Sequence, residues 1–364
     1  MIIQKLPVLL LVGLITLGFS ANAQLYPNEK WSYNENPSKD GWDNKRSKDF
    51  RKYLIDSTYI TGLQIVQDGK IVFEYGDVLE NSYIASCRKS VLAMIYGKYV
   101  MSGRIDINKT LSELDIDDVG GLLPIEKKAT IRNLISARSG VYHAEAYPGG
   151  MGQFAPERGS KKPGSYWLYN NWDFNTAFHI FEQETGLDFY DEFENQLVEP
   201  LHMQDWDRTL QVKYGDTSLS KFTTYPIWLS TRDMSRIGLL MLRRGKWNNQ
   251  QVIEESWIDE MITQKTSFEE VNTNIPVFRN SGVNFGYGYM WWLWEDTKDD
   301  RLLDAYSALG HWGQSITVYP EIDVVVTYKT KEIYKRENSG QVRLDVLKKA
   351  VEIYNYTNKA ANKK

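Results

Sequence analysis

The chain has 364 residues, 42% apolar and 25% charged, with a formal net charge of −4. That is too long for one small core but fits a single two-lobed enzyme of ordinary soluble composition. The signs are dispersed, which excludes the basic footprint of a nucleic-acid binder. An aromatic share of 13%, including 12 Trp and 23 Tyr, fits either a ring-lined cleft or a ring-filled core.

The N-terminus reads as an address. Lys5 supplies a weak positive region, Leu6 to Phe19 an apolar stretch, and Ala21-Asn22-Ala23 a small-x-small cleavage pattern before Gln24. The apolar run is shorter than the roughly 20 residues of a membrane span, so residues 1–23 are expected to be a signal peptide rather than an anchor. No cysteine follows the run that would take a lipid. The mature chain is expected to be exported, to the periplasm or outside the cell, with no stable membrane span. Residues 24–42, polar with isolated Trp31 and Trp42, form an extended leader. Cys87 is the single cysteine, so no intramolecular disulfide forms and stability must come from packing.

A helix is predicted from Asn44 to Ile55. A hairpin follows, Gly62 to Gln67 and Ile71 to Tyr75, turned at Asp68-Gly69. Short helices are predicted over Asn108–Leu114 and Ala129–Ser136, then a Gly, Pro and Lys-rich loop over 147–165. Spacing and caps predict helices over Asn175–Thr185, Tyr190–Val198, Thr231–Arg244 and Glu254–Thr263. Strands return with Tyr287–Trp294 and with a hairpin of Ser315–Tyr319 and Val324–Tyr328, before a last amphipathic helix over Gly340–Tyr354. Strands at both chain ends predict one sheet closed by the two ends, with a helical lobe inserted over about residues 105–270.

Three stretches carry chemistry. In Tyr83-Ile84-Ala85-Ser86-Cys87-Arg88-Lys89-Ser90, a helix begins at or near Ser86, and Val91, Leu92, Met94 and Ile95 give it an apolar face. Ser86 and Lys89 then stand on one face about a turn apart. A serine hydroxyl needs a neighbouring base, and a lysine held against a helix start and an apolar wall can be one. The start of the helix also offers N–H groups to an oxyanion. Cys87 points about 100° away from Ser86 and reads as a packing residue. The same S-x-x-K spacing at Ser218 to Lys221 lies in a polar stretch with no apolar helix behind it.

In Gly164-Ser165-Tyr166-Trp167-Leu168-Tyr169-Asn170-Asn171-Trp172-Asp173, a loop entering a helix presents a phenol and a carboxamide to one cleft. Tyr169 can act as general base if an ammonium lies near, and Asn171 can orient a carbonyl or the lysine. In Leu309-Gly310-His311-Trp312-Gly313-Gln314, glycines around His311 let a strand approach a ligand closely. There the N–H of Gln314 can complete an oxyanion hole with that of Ser86. The four histidines, at 143, 179, 202 and 311, show no metal-ligand spacing, so neither a metal nor a cofactor is expected.

The order S-x-x-K, Y-x-N, H-x-G resembles the serine β-lactamase and penicillin-binding-protein superfamily. It is most similar to the class-C-like branch of esterases, D-amino-acid peptidases and aminohexanoate-dimer hydrolases. The likeness covers roughly residues 50–356 and extends to Thr130–Gly140, Leu229–Met234 and Tyr287–Trp292. It implies an α+β fold (an α/β sandwich), an antiparallel sheet flanked by helices, forming one catalytic domain over 43–358 with a polar tail at 359–364. It also implies that Ser86 is acylated, that Lys89 and Tyr169 share the proton work in an order left open, and that Asn171 holds substrate. The backbone of Ser86 and Gln314 would make the oxyanion hole.

Where most relatives carry K-[ST]-G, this chain has His311-Trp312-Gly313. A fixed charge and a hydroxyl are lost and a bulky ring is gained. Hydrolysis of a small ester or amide is therefore expected over antibiotic hydrolysis. Trp167, Trp172 and Trp312, with Tyr166, are candidates for an apolar pocket. Two other readings stand beside it: a D-alanyl peptidase or weak β-lactamase, and a catalytically silent binding protein on the same fold. A Ser-His-Asp hydrolase is disfavoured by the absence of G-x-S-x-G. Oligomeric state is not readable from the sequence.

Overall fold

The computed structural model describes residues 25–147, 149, 151–275, 284–295 and 297–356. The expected signal peptide and polar tail lie outside them. Helix α1 (Asn44–Ser57) is capped by the Asp43 side chain, which accepts from the Arg46 N–H. Strands β1 (Gly62–Gln67) and β2 (Lys70–Gly76) turn at Asp68 and Gly69, both at positive φ, as a two-residue hairpin requires. The short β3 (Ser82–Tyr83) leads into α2 (Cys87–Met101). A reciprocal Thr130–Asn133 capping box starts α3 (Ile131–Ile135). Asn170 caps α4 (Asn171–Thr185). α5 (Phe189–Phe193) widens through a π turn at Glu194–Val198 into α6 (Glu199–Leu201). β4 (Trp228–Leu229) pairs with β3 and runs into α7 (Thr231–Leu242), capped by Ser230. After the small pair β5 (Lys246–Trp247) and β6 (Gln250–Gln251) come α8 (Glu255–Ile262) and α9 (Phe268–Asn274). The chain closes with β7 (Asn284–Tyr287), β8 (Trp292–Glu295), β9 (Tyr306–Gly310), β10 (Gln314–Tyr319), β11 (Val324–Lys329) and α10 (Gly340–Glu352).

Seven strands form one antiparallel sheet in the order β2-β1-β11-β10-β9-β8-β7, with Gly62 opposite Lys329, so strands from both ends of the chain pair side by side. Alternation along the strands sends Ile316 and Val325 to one face and Tyr319 and Tyr328 to the other. The first pair meets α7, and the hydroxyls of the second donate to Leu347 and Arg343 carbonyls of α10. α7 lies close because Gly238 faces the strands: a Cβ there would stand 2.4 Å from Val325 Cγ1. Among the described residues, no helix is long and apolar enough to cross a membrane. The mixed helix and antiparallel-sheet architecture is the α+β class expected.

Some elements differ from expectation. The single strand over Tyr287–Trp294 is a hairpin: Tyr287 ends β7, Trp292 opens β8, and Met290 turns at φ 59°. Gly288 permits it, since a Cβ would lie 2.1 Å from the Met261 carbonyl that the Tyr289 N–H also reaches. Asn108–Leu114 is a run of turns rather than a helix, because Thr110 bridges to Thr130 and the Leu111 N–H bonds to Ala129. Tyr190–Val198 is helical only to Phe193 before the π turn. β9 and α9 were not expected.

Candidate active site

The Ile84 N–H holds to the Ile227 carbonyl at 3.0 Å beside the β3–β4 pair, and Ala85, at φ 49°, swings the chain into α2. Positive φ is uncommon for a residue with a Cβ and fixes the direction of the next side chain. From Ile84 to Gly97, Ser86 alone is not fully buried. Tyr169 and Ser86 line the same cleft. Behind them Lys89, 1% exposed, donates from Nζ to Asn171 Oδ1 at 2.5 Å. The same nitrogen lies 4.0 Å from the centre of the Tyr169 ring and 4.5 Å from that of Phe174. Tyr169 is itself stacked on Trp292 at 5.3 Å.

Burial, and then the neighbouring Arg88 charge, hold the Lys89 ammonium well below its usual pKa; Glu145 opposes them. Burial raises the Tyr169 phenol, and the Ser86 side chain opposes it. The resting pair is therefore a readily deprotonated amine beside a neutral phenol. Glu145, not singled out from sequence, accepts the Asn171 backbone N–H at 3.0 Å. Asn171 thus bridges Lys89 to Glu145, and its side-chain amide offers an N–H to a substrate oxygen. Burial raises the Glu145 carboxyl, and Lys89 counters it. Cys87 is fully buried with its thiol pushed up by desolvation and aimed at the Ala308 carbonyl, as a packing residue should be.

The opposite wall is the turn from β9 to β10. Gly310 lets β9 press against the nucleophile segment, since a Cβ would stand 2.7 Å from the Ile84 carbonyl. Trp312 and Gly313 turn at φ 67° and 96°. The Gln314 side chain is locked to Thr330 by paired bonds of 2.7 and 3.2 Å. His311 lies at the rim, its Nδ1 3.3 Å from Glu337 Oε1, and Glu337 also takes the Arg343 guanidinium. Burial lowers the His311 pKa, with Glu337 opposing.

These walls enclose a cleft of about 870 Å³ that Ser86, Tyr169, Asn171, His311, Trp312 and Gln314 all line. Lys89 sits behind it, and Gly313 shapes the turn beside Thr330 and Asn338. Trp167 and Trp172 are not pocket residues. Trp167 is wholly buried against Tyr287 and Trp292, and Trp172 donates to Asp118 at 2.7 Å and packs on Phe222. One residue beyond Asn171 on α4 a side chain points about 100° away, into the helical lobe. The rings that do line the cleft include Tyr83, Tyr147, Phe285 and Trp292. Tyr147, Gly149, Met151 and Gln153 make the start of the 147–165 loop a wall of the cleft, tethered by the Met151 N–H to the Tyr169 carbonyl at 3.1 Å. Among the described residues no group of three or more His, Cys, Asp or Glu could hold a metal.

The Beta-lactamase family model matches residues 61–340. No curated protein matches the sequence. Among solved structures, a putative 6-aminohexanoate-dimer hydrolase from Bacillus anthracis aligns at TM-score 0.62 and 18% identity, covering 84% of this chain and 83% of that one. A simvastatin synthase variant from Aspergillus terreus aligns at TM-score 0.63 and 15% identity, covering 85% and 97%. A class C beta-lactamase variant aligns at 0.62 and 14%, covering 89% and 99%. At such identities the likeness is one of fold. The family match over most of the chain, on the fold these neighbours share, makes this chain a member of the beta-lactamase family of hydrolases.

Proposed function

We propose that the chain is a serine hydrolase that cleaves a small ester or amide through an acyl-enzyme on Ser86. The observation that carries this is a single cleft lined by both Ser86 and Tyr169, with buried Lys89 packed on the Tyr169 ring and held by Asn171. The Ser86 proton passes to the Lys89 amine, directly or across the Tyr169 hydroxyl, as the oxygen attacks the substrate carbonyl. Backbone N–H groups of Ser86 and Gln314 receive the oxyanion. The ammonium returns the proton to the departing alcohol or amine. Water then attacks the acyl-enzyme, giving up a proton by the same route and restoring Ser86.

The rim favours this substrate class over β-lactams. Arg343, a cation placed to receive a ligand carboxylate, is already paired with Glu337, and Trp312 stands beside it in the cleft. The reading as a D-alanyl peptidase or weak β-lactamase is supported by the family match, and acylation of Ser86 by penicillin would favour it. We also propose, from residues 1–23, that the protein is exported; a mature N-terminus at Gln24 in the periplasmic fraction is the expected result.

The test is intact-mass analysis after treatment with a fluorophosphonate. One adduct on the wild type and none on Ser86→Ala is expected. Folded wild-type protein without an adduct would overturn the hydrolase reading in favour of a binding protein.

A further inference from the structure

Arg88 stands between the nucleophile and the lysine, lines the cleft, and is only 3% exposed. Its Nη2 donates to Asn175 Oδ1 at 3.2 Å and to Thr224 Oγ1 at 2.9 Å, and its guanidinium lies 4.5 Å above the centre of the Tyr225 ring. These partners are neutral. Among the described residues no carboxylate forms an ion pair with Arg88, and its Nε is buried with no acceptor. Asn175 Nδ2 and the Tyr190 and Tyr225 hydroxyls are likewise buried without protein partners. The titratable groups around the guanidinium are the phenols of Tyr83, Tyr169, Tyr190 and Tyr225 and, as a like charge, Lys89.

A guanidinium cannot shed its proton to escape burial. Desolvating such an ion costs several kcal/mol unless an opposite charge or a full set of acceptors answers it. The other cations of the site are provided for: Arg343 has Glu337, and Lys89 has Asn171 and can deprotonate. Arg88 is the cation left over, and it is among the residues that line the cleft.

We infer that Arg88 is the receptor for a carboxylate carried by the substrate, so that the ester or amide cleaved at Ser86 bears a negative charge on its acyl or its leaving side. The inference rests on the serine-hydrolase reading. The anion is received on the α2 wall, beside Tyr83 and Tyr147, rather than at the His311 rim, where the charges already cancel. A guanidinium with an unpaired Nε–H can donate to a carboxylate, and the enclosing rings keep water from competing.

Two matched ester pairs test this. In one, p-nitrophenyl glutarate monoester is compared with its ω-methyl ester. In the other, O-acetyl-4-hydroxybenzoic acid is compared with its methyl ester. In the wild type the charged member of one pair should have the higher kcat/KM, by roughly 10-fold or more, and the pair that shows it identifies the side of the scissile bond. The ratio should shrink severalfold in Arg88→Met. It should also shrink in Asn175→Asp, which puts an internal carboxylate beside Nη2 and serves if Arg88→Met does not fold. Neutral members equal to or better than charged ones in both pairs of the wild type would overturn the proposal, as would a ratio that neither substitution changes. A Ser86 adduct with no charge preference would sink the Arg88 site alone; no adduct at all would sink the hydrolase reading beneath it.

Discussion

In the proposed mechanism Lys89 and Tyr169 divide the proton work according to where each is buried. With the ammonium held well below its usual pKa and the phenol raised, the working form is the neutral amine. Protonation removes the base, so kcat/KM for an ester should climb with pH along a limb whose midpoint lies well below 10.5. Lys89→Arg, which stays charged, should lose that limb and about 10³-fold or more in kcat/KM, and Tyr169→Phe about 10²-fold. Steady-state rates between pH 5 and pH 10 check both; a Lys89→Ala protein keeping most of its activity would instead favour His311 as base. At this scale the sequence is informative wherever spacing along one element sets the geometry. Ser86 and Lys89 are three apart on a helix, and Tyr169 and Asn171 flank the start of another. It is silent where the partner comes from elsewhere. Nothing near Glu145 points to Asn171, nothing near Arg88 points to Asn175 and Thr224, and the rotation of α4 alone decides that Trp172 faces the lobe.

Elements were legible where turn chemistry or caps are local. The Asp68-Gly69 hairpin and the helix predicted from Thr231 both form, the latter capped by Ser230. They were misread where a distant segment takes the backbone, as Thr130 takes Thr110 and the Met261 carbonyl takes Tyr289. The seat of α7 on the sheet is one such long-range fit. Gly238→Ala should raise helix propensity yet destabilise the protein by about 1–3 kcal/mol, because the new methyl overlaps Val325. Val325→Ala in the same chain should recover part of the loss. Urea unfolding of the two single variants and the double variant measures the coupling.

Across the whole molecule, Lys329 ties the end of β11 to the approach to the site. It is 1% exposed and donates to the carbonyls of Glu80, at 2.8 Å, and Leu229. Burial lowers its pKa to about 8 from 10.5. Between those values the unfolded chain binds more protons than the folded one, so Lys329 adds stability as pH rises through that window and gives no slope below it. Wild-type stability should therefore gain on the order of 2 kcal/mol relative to Lys329→Met between pH 8 and pH 10, read from urea midpoints. The sheet itself was legible as one layer built from both chain ends, because the β1–β2 and β10–β11 hairpins are apolar and β-branched. Its register, Gly62 against Lys329, was not, since pairing across so many residues leaves no local mark.

That pairing sets when the molecule can first act. During synthesis Ser86, Lys89, Tyr169 and Asn171 all emerge long before β10 and β11. Until then β1 lacks its inner neighbour, and the wall carrying Gln314 does not exist. Closing so large a loop is entropically slow. A nascent chain therefore passes through the whole stretch from Asn171 to Lys329 with Ser86, Lys89, Tyr169 and Asn171 already made and no assembled cleft, and activity begins only as the last strands dock.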